Sequence, residues 1–300
     1  MGSKPIDSIT SQELLVVLKK IETKGLLETA RRTKQRCGQV FRHGIGLGYC
    51  PRDITVDMRG LLDAPIVEHH ASITDPNKVG GLLRAIESYS GRRLTQLALK
   101  LSPLVFVRPG ELRKAEREHF DLQQAEWRIP PHLMKMKVQH IVPLSQQAID
   151  VVRELLAIPV ESRFLFPALG YPERPMSENT VGKALRIMGY SPDDMSAHGF
   201  RSLASTLLNE LGWPPDAIEK QLAHVEEDEV RGAYNYAKYL PIRRTMMQWW
   251  ADYLDSLRDS ACAAPVVPLP FATHVFAPVT PKPGHAPKGT PSQRADPVTG

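Results

Sequence analysis

The sequence predicts a mainly α protein with a small β-sheet (α+β), divided into a helical domain over residues 1–65, a mixed domain over 66–258 and a Pro-rich tail over 259–300. Three observations predict it. Apolar residues recur at helical spacing through most of the first 258 positions. Strand-like alternation is confined to two short stretches, near 117–129 and 138–143. Nine of the 26 prolines crowd into 261–300 beside Ala, Thr, Gly and Val, a composition that buries too little surface to offset the cost of ordering.

Thr10 followed by Glu13 reads as a capping box opening a helix with Leu14, Leu15, Leu18 and Ile21 on one face, stopped at Gly25. A second helix starts near Leu26, with Leu27, Ala30, Thr33, Cys37, Val40 and Phe41 as its apolar stripe and Arg31, Arg32, Gln35, Arg36, Gln39, Arg42 and His43 on the other side; glycines at 44, 46 and 48 end it. Residues 50–72 read as an irregular linker, with a domain boundary near 66–72. Asp75-Pro76 restarts a helix with proline in its first turn, and Val79, Leu82, Leu83 and Ile86 supply its buried stripe. Another covers about 92–107. Trp127, Ile129, Val138, Ile141 and Val142 mark a small β-ribbon, and helices return at Ser145 and near 177–188, 198–211, 215–223 and 241–258. Trp249, Trp250, Met246, Met247 and Leu254 form a packing stripe on the last one, for its own core or for a neighbouring protomer.

Net charge is +5, and it is uneven: residues 1–65 hold 11 Lys/Arg against 7 Asp/Glu, whereas 66–260 hold 24 against 25. A basic module joined to a near-neutral body suits a polyanionic partner, although a solvated basic helix face produces the same asymmetry. No apolar run reaches the roughly 18 residues of a membrane span, and the N-terminus lacks a signal-peptide pattern, so a soluble cytoplasmic protein is expected. Cys37, Cys50 and Cys262 have no CxxC or histidine-pair spacing, and His69, His70, His119, His132 and His140 lack ligand spacing, so neither disulfides nor a metal site is expected.

Ala197-His198-Gly199-Phe200-Arg201 puts an imidazole and a guanidinium three residues apart on a helix, a pair that by itself is commonly a surface contact or a cap. Its neighbours change its weight: Arg108 in Arg-Pro-Gly-Glu-Leu before it, a lysine ahead of the Val138–Val142 strand, His224 in Leu-Ala-His after it and Tyr234 in Ala-Tyr beyond. In this order the phrases resemble the catalytic signature of the tyrosine recombinases, or phage integrases. Ser177-Glu178-Asn179-Thr180-Val181, Gln221-Leu222-Ala223-His224 and the Trp-Trp-Ala-Asp-Tyr-Leu run are similar to prophage-type bacterial integrases. The resemblance covers roughly residues 8–258.

The resemblance implies a helical core-type DNA-binding domain followed by a tyrosine-recombinase catalytic domain, cutting and rejoining DNA for integration or excision of a mobile element. Arg108 and Arg201 match the arginines that clamp the scissile phosphate, where planar bidentate donors meet the charge gathering on non-bridging oxygens. Tyr234 matches the nucleophile that forms a 3′-phosphotyrosyl bond. Lys135 matches the lysine that protonates the departing 5′-oxygen; Lys137, two residues along on the same side of an extended strand, is the rival. His198 matches the residue assisting proton transfer at tyrosine, His224 a second phosphate contact, and Glu111 an acidic brace that orients Arg108. Tyr236 and Tyr239 are alternatives to Tyr234 that the spacing from His224 disfavours. No cofactor and no metal is implied, because two guanidiniums and an amine take over charge neutralisation.

For the basic helix the resemblance implies that Arg31, Arg32, Lys34, Arg36 and Arg42 contact the phosphates of double-stranded DNA at attachment sites, with Gln35 and Gln39 near base edges or solvent. It further implies a homodimer on a core site, a tetramer in the synapse, and a bacterial, nucleoid-associated location. Because the chain opens directly on the core-binding helices, the expected type lacks an N-terminal arm-binding domain. The Pro-rich tail and Pro131-His132 before the lysine depart from the family pattern. Two other readings are compatible with the same residues: a type IB topoisomerase-like strand transferase, and a catalytically silent DNA-binding remnant.

Overall fold

The computed structural model describes residues 4–64, 71–135, 137–223 and 229–260, and of 229–238 the backbone only. The chain forms two compact units that part between His69 and His70. Of the Pro-rich tail expected over 259–300, Asp259 closes the final helix and residues 261–300 lie outside the described residues.

In the first unit, α1 (Ser11–Glu22) begins with the expected reciprocal capping box between Thr10 and Glu13. It packs on α2 (Leu27–Gly46), whose Phe41 joins Leu14, Leu18, Cys50, Ile54 and Met58 in a small core. Two expectations are corrected. α2 runs through Gly44 and Gly46, and its chain reverses only at Gly48 (φ +74). Residues 50–62 are not a free linker: Ile54–Met58 forms a 3-10 turn that buries Ile54, Thr55 and Met58 against the two helices. The glycines inside α2 explain both. A Cβ on Gly38 would stand 2.7 Å from Thr55 Oγ1, and one on Gly44 3.0 Å from Cys50 Sγ, so both glycines admit the returning chain. Val40, placed in the apolar stripe by its spacing, is 59% exposed at the edge of that stripe.

The second unit is mostly helical. α3 (Pro76–Glu87), capped by Asp75, is followed by α4 (Arg93–Val105), which is buried along most of its length, then by the short α5 (Pro109–Arg113). A three-stranded antiparallel sheet follows: β1 (Phe120–Asp121), β2 (Glu126–Ile129) and β3 (His140–Pro143), with β2 central and Trp127 opposite Val142. α6 (Gln146–Ala157) leads to a hairpin of β4 (Pro167–Ala168) and β5 (Tyr171–Pro175), then α7 (Thr180–Ile187), α8 (Gly199–Glu210), α9 (Pro215–Gln221) and α10 (Glu229–Asp259). The hairpin was not legible in the sequence because Tyr171–Arg174 are exposed throughout and carry no alternation.

The final helix starts twelve residues before the expected 241, since α10 carries Pro241 in its interior. An interior proline costs a helix on the order of 3 kcal/mol, so contacts on both sides of it must hold the helix together. C-terminal to it, Met246, Met247, Trp249, Trp250 and Leu254 are all buried in this unit's own core, and Trp250 Nε1 donates to Pro103 O at 2.8 Å. The stripe is therefore used in cis. Among the described residues no helix is long and apolar enough to cross a membrane.

Candidate active site

Arg108 follows the C-terminus of α4, where Phe106 adopts a left-handed φ of 37° and turns the chain out of the helix. Pro109 then starts α5 with Arg108 as its N-cap residue. Glu111, 4% exposed, holds Arg108 twice: one carboxylate oxygen accepts the backbone N–H at 2.9 Å and the other accepts from Nη1 at 2.9 Å. The guanidinium is thereby fixed with a quarter of its side chain exposed.

Arg201 comes from the first turn of α8, with His198, half-buried, as the residue before that helix. Gly199 between them is required by space, because a Cβ there would lie 2.4 Å from Ala71 O. Arg201 is 5% exposed and donates to Phe106 O at 3.4 Å and to Leu222 O. Burial, and then the positive charge of Arg108, pull its guanidinium down to about 10, which still leaves it charged at neutral pH.

The two arginines meet at the C-terminal end of α9. A helix ends with carbonyls that lack intrahelical partners, and here three in succession are taken by side chains from three other elements. Gln221 O accepts from His140 Nε2 at 3.1 Å, Leu222 O from Arg201 Nη2, and Ala223 O from Arg108 Nη2 at 3.2 Å. His224 is the next residue and lies outside the described ones. Ala223 has φ 48°, left-handed backbone that costs an L-residue about 1–2 kcal/mol and that glycine adopts freely. Ala223→Gly is expected to stabilise the fold by up to about 1 kcal/mol, part of the relief being lost to the entropy of an unfolded glycine; the midpoint of urea unfolding checks this.

Three residues that the sequence did not single out complete the floor. His140, expected only as a surface or core residue, is buried beside both arginines and Arg243. Gln221, fully buried, accepts on its side-chain oxygen from Arg243 Nε at 3.0 Å and Nη2 at 2.5 Å, and Arg243 Nη2 also donates to Ile141 O at 2.6 Å. The inward pleat of β3, which places positions 140 and 142 on one face, is the signal that could have found His140. Burial, then the Arg243 charge, push His140 down to about 3, so the folded protein holds it neutral. The unfolded chain, with its imidazole near 6.5, takes up a proton first as pH falls. This contribution to stability is therefore complete above pH 6.5 and lost progressively towards pH 3, on the order of 5 kcal/mol in all. Urea unfolding between pH 7.5 and 4 is expected to show this decline, and His140→Asn to flatten it.

Lys135 is exposed in the β2–β3 connection. Lys137 is exposed too, but at φ 54°, and β3 begins only at His140, so the two lysines do not share one side of an extended strand as the spacing suggested. Tyr234 lies on α10; its side chain, like that of Tyr236, is outside the described residues. Tyr239 donates its hydroxyl to Asp216 Oδ2 at 2.7 Å. His119 draws Glu116 and Glu118 to within 4.8 Å, but its Nδ1 accepts the Glu116 N–H in a capping box. His69 and His70 lie outside the described residues. In the first unit, Arg31 and Arg36 are exposed on α2, Arg32 pairs with Glu28 at 2.6 Å, Lys34 donates to Met58 O at 2.7 Å and Arg42 pairs with Asp53 at 2.6 Å.

Residues 73–240 match the phage integrase family, and residues 1–61 match the phage integrase central domain. The integrase of Enterobacteria phage P4 is 39% identical over an alignment of 274 positions that covers 86% of this chain and 62% of that protein, so the chain spans less than two thirds of that relative. A lambda integrase (75–356) dimer bound to a COC′ core site aligns with a TM-score of 0.58 at 18% identity, over 75% of this chain and 82% of that one. A lambda integrase tetramer bound to a Holliday junction aligns at 0.57 and 18% identity, over 74% and 66%. At such identity these two establish likeness of fold.

Proposed function

This chain belongs to the phage integrase family, and from that premise we propose that it is a tyrosine-type site-specific recombinase that breaks and rejoins duplex DNA for a mobile element. The observation that carries the reading is the convergence of Arg108 and Arg201, from different elements, on the adjacent carbonyls of Ala223 and Leu222, one step before His224. Two planar cations held side by side suit a phosphodiester whose non-bridging oxygens gain charge during attack.

In the proposed reaction the Tyr234 oxygen attacks phosphorus, forming the phosphotyrosyl bond as the bond to the 5′-oxygen breaks. His198 assists removal of the tyrosine proton, and Lys135 gives a proton to the departing 5′-oxygen. His224 adds a hydrogen bond to the phosphate. A 5′-hydroxyl from the partner strand then attacks the same phosphorus and releases the tyrosine, so no external energy source is needed. Glu111 keeps Arg108 aimed. Arg31, Arg32, Lys34, Arg36 and Arg42 bind backbone phosphates, two protomers occupy a core site and four make the synapse; the lambda integrase dimer on a core site and its tetramer on a Holliday junction support these numbers.

Incubation with duplex from the flanks of its own gene, nicked so that the cleaved fragment diffuses away, tests this. A covalent protein–DNA adduct carried on the peptide containing Tyr234 is expected. Binding without any adduct would leave a silent DNA-binding protein, and relaxation of supercoils by a strict monomer would make it a topoisomerase-like enzyme.

A further inference from the structure

We propose that Gln221 and Arg243, together with the Asp216–Tyr239 pair, are positioning residues that lock the nucleophile-bearing helix to the arginine clamp; the inference rests on the recombinase reading above. Gln221 belongs to both structures at once. Its main-chain oxygen, with those of Leu222 and Ala223, forms the row of acceptors that holds His140, Arg201 and Arg108. Its side-chain oxygen receives the fork of Arg243 on α10, the helix that carries Tyr234. Any shift of α10 along or around its axis must pull on the residue that anchors the clamp.

The second pair explains why one contact is not enough. Pro241 cannot donate to the carbonyl four residues earlier, which makes this turn of α10 the place where the helix bends most easily. Tyr239 and Arg243 lie four residues apart, on one face and on either side of that proline. Tyr239 is tied to Asp216 in the first turn of α9, and Arg243 to Gln221 in its last. The weak turn is thus stapled to α9 at both ends, and the segment leading back to Tyr234 inherits its direction from the staples. Arg243 also bonds Ile141 O, next to His140, so β3 shares the same anchor. Misplacing a reacting group by about 1 Å can cost on the order of 100-fold in rate, so the staples act on chemistry without touching DNA.

The test uses the full chain and the nicked duplex, with single-turnover adduct formation and DNA affinity measured separately. Gln221→Leu, which removes the acceptor at similar volume, is expected to slow adduct formation by about 100-fold with affinity for the duplex within about twofold. Asp216→Ala and Tyr239→Phe, at the exposed pair, are expected to slow it by about tenfold. Asp216→Asn keeps an oxygen that accepts the tyrosine hydroxyl, and is expected to recover most of the rate; a purely structural role for the carboxylate charge would not produce that rescue. If Gln221→Leu does not fold, the exposed pair decides. Parent-like adduct formation in both Asp216→Ala and Tyr239→Phe, or equal losses in Asp216→Asn and Asp216→Ala, overturns the proposal. Absence of any adduct in the parent protein overturns the recombinase reading, and this inference falls with it.

Discussion

Tyr234→Phe is expected to bind duplex DNA as the parent does and to form no covalent adduct. In the proposed reaction the phenol oxygen is the atom that becomes bonded to phosphorus, so its removal takes away the reaction rather than weakening a contact, and a loss of roughly 10⁴-fold or more is the scale for deleting a nucleophile. The spacing from His224 is what selects Tyr234 over Tyr236, and the hydroxyl of Tyr239 is already committed to Asp216. A gel-shift titration paired with denaturing electrophoresis of the nicked substrate separates binding from attachment. An adduct that persists in Tyr234→Phe and disappears in a Tyr236 or Tyr239 variant would relocate the nucleophile.

Arg201→Lys is expected to lower single-turnover cleavage by about 10²–10³-fold, the range for removing one preorganised donor from a developing oxyanion. Lysine keeps the positive charge but cannot reach Phe106 O and Leu222 O while presenting a flat pair of donors to a phosphate. Loss of activity with preserved charge would therefore identify the fork geometry as the active element. Arg201→Ala should be worse in a second way. It strands two buried carbonyls at about 1–3 kcal/mol each, so its unfolding midpoint in urea should fall well below that of the lysine variant. Cleavage by Arg201→Lys at the parent rate would remove Arg201 from the clamp.

Much of the chain was legible in the sequence, and the reasons are local. The capping box at Thr10, the proline start after Asp75 and the apolar spacing of α3 and α6 depend on residues within a few positions of one another, which periodicity records. Expectations failed where distant residues took over. The last helix was expected only from about 241, yet α10 starts at Glu229 and passes through Pro241, with α9 holding both flanks. Residues 50–72 looked like a linker, yet glycines in α2 leave room for the return of 50–62. Periodicity also left unannounced that Lys34 donates to Met58 O and that Arg42 pairs with Asp53, contacts that hold both side chains against the returning segment.

By itself, the sequence determined which chemical groups are present and in what order: two guanidiniums, a lysine, two imidazoles and a tyrosine in phrases that resemble a recombinase. Only the tertiary structure decided how the guanidiniums are held, on successive carbonyls at the end of α9, and that His140, Gln221 and Arg243 belong to the same assembly. The physical reason is that the acceptors are main-chain oxygens. Every residue carries one, so no side-chain pattern announces which of them a helix will leave unpaired, or which distant cation will arrive to fill the place.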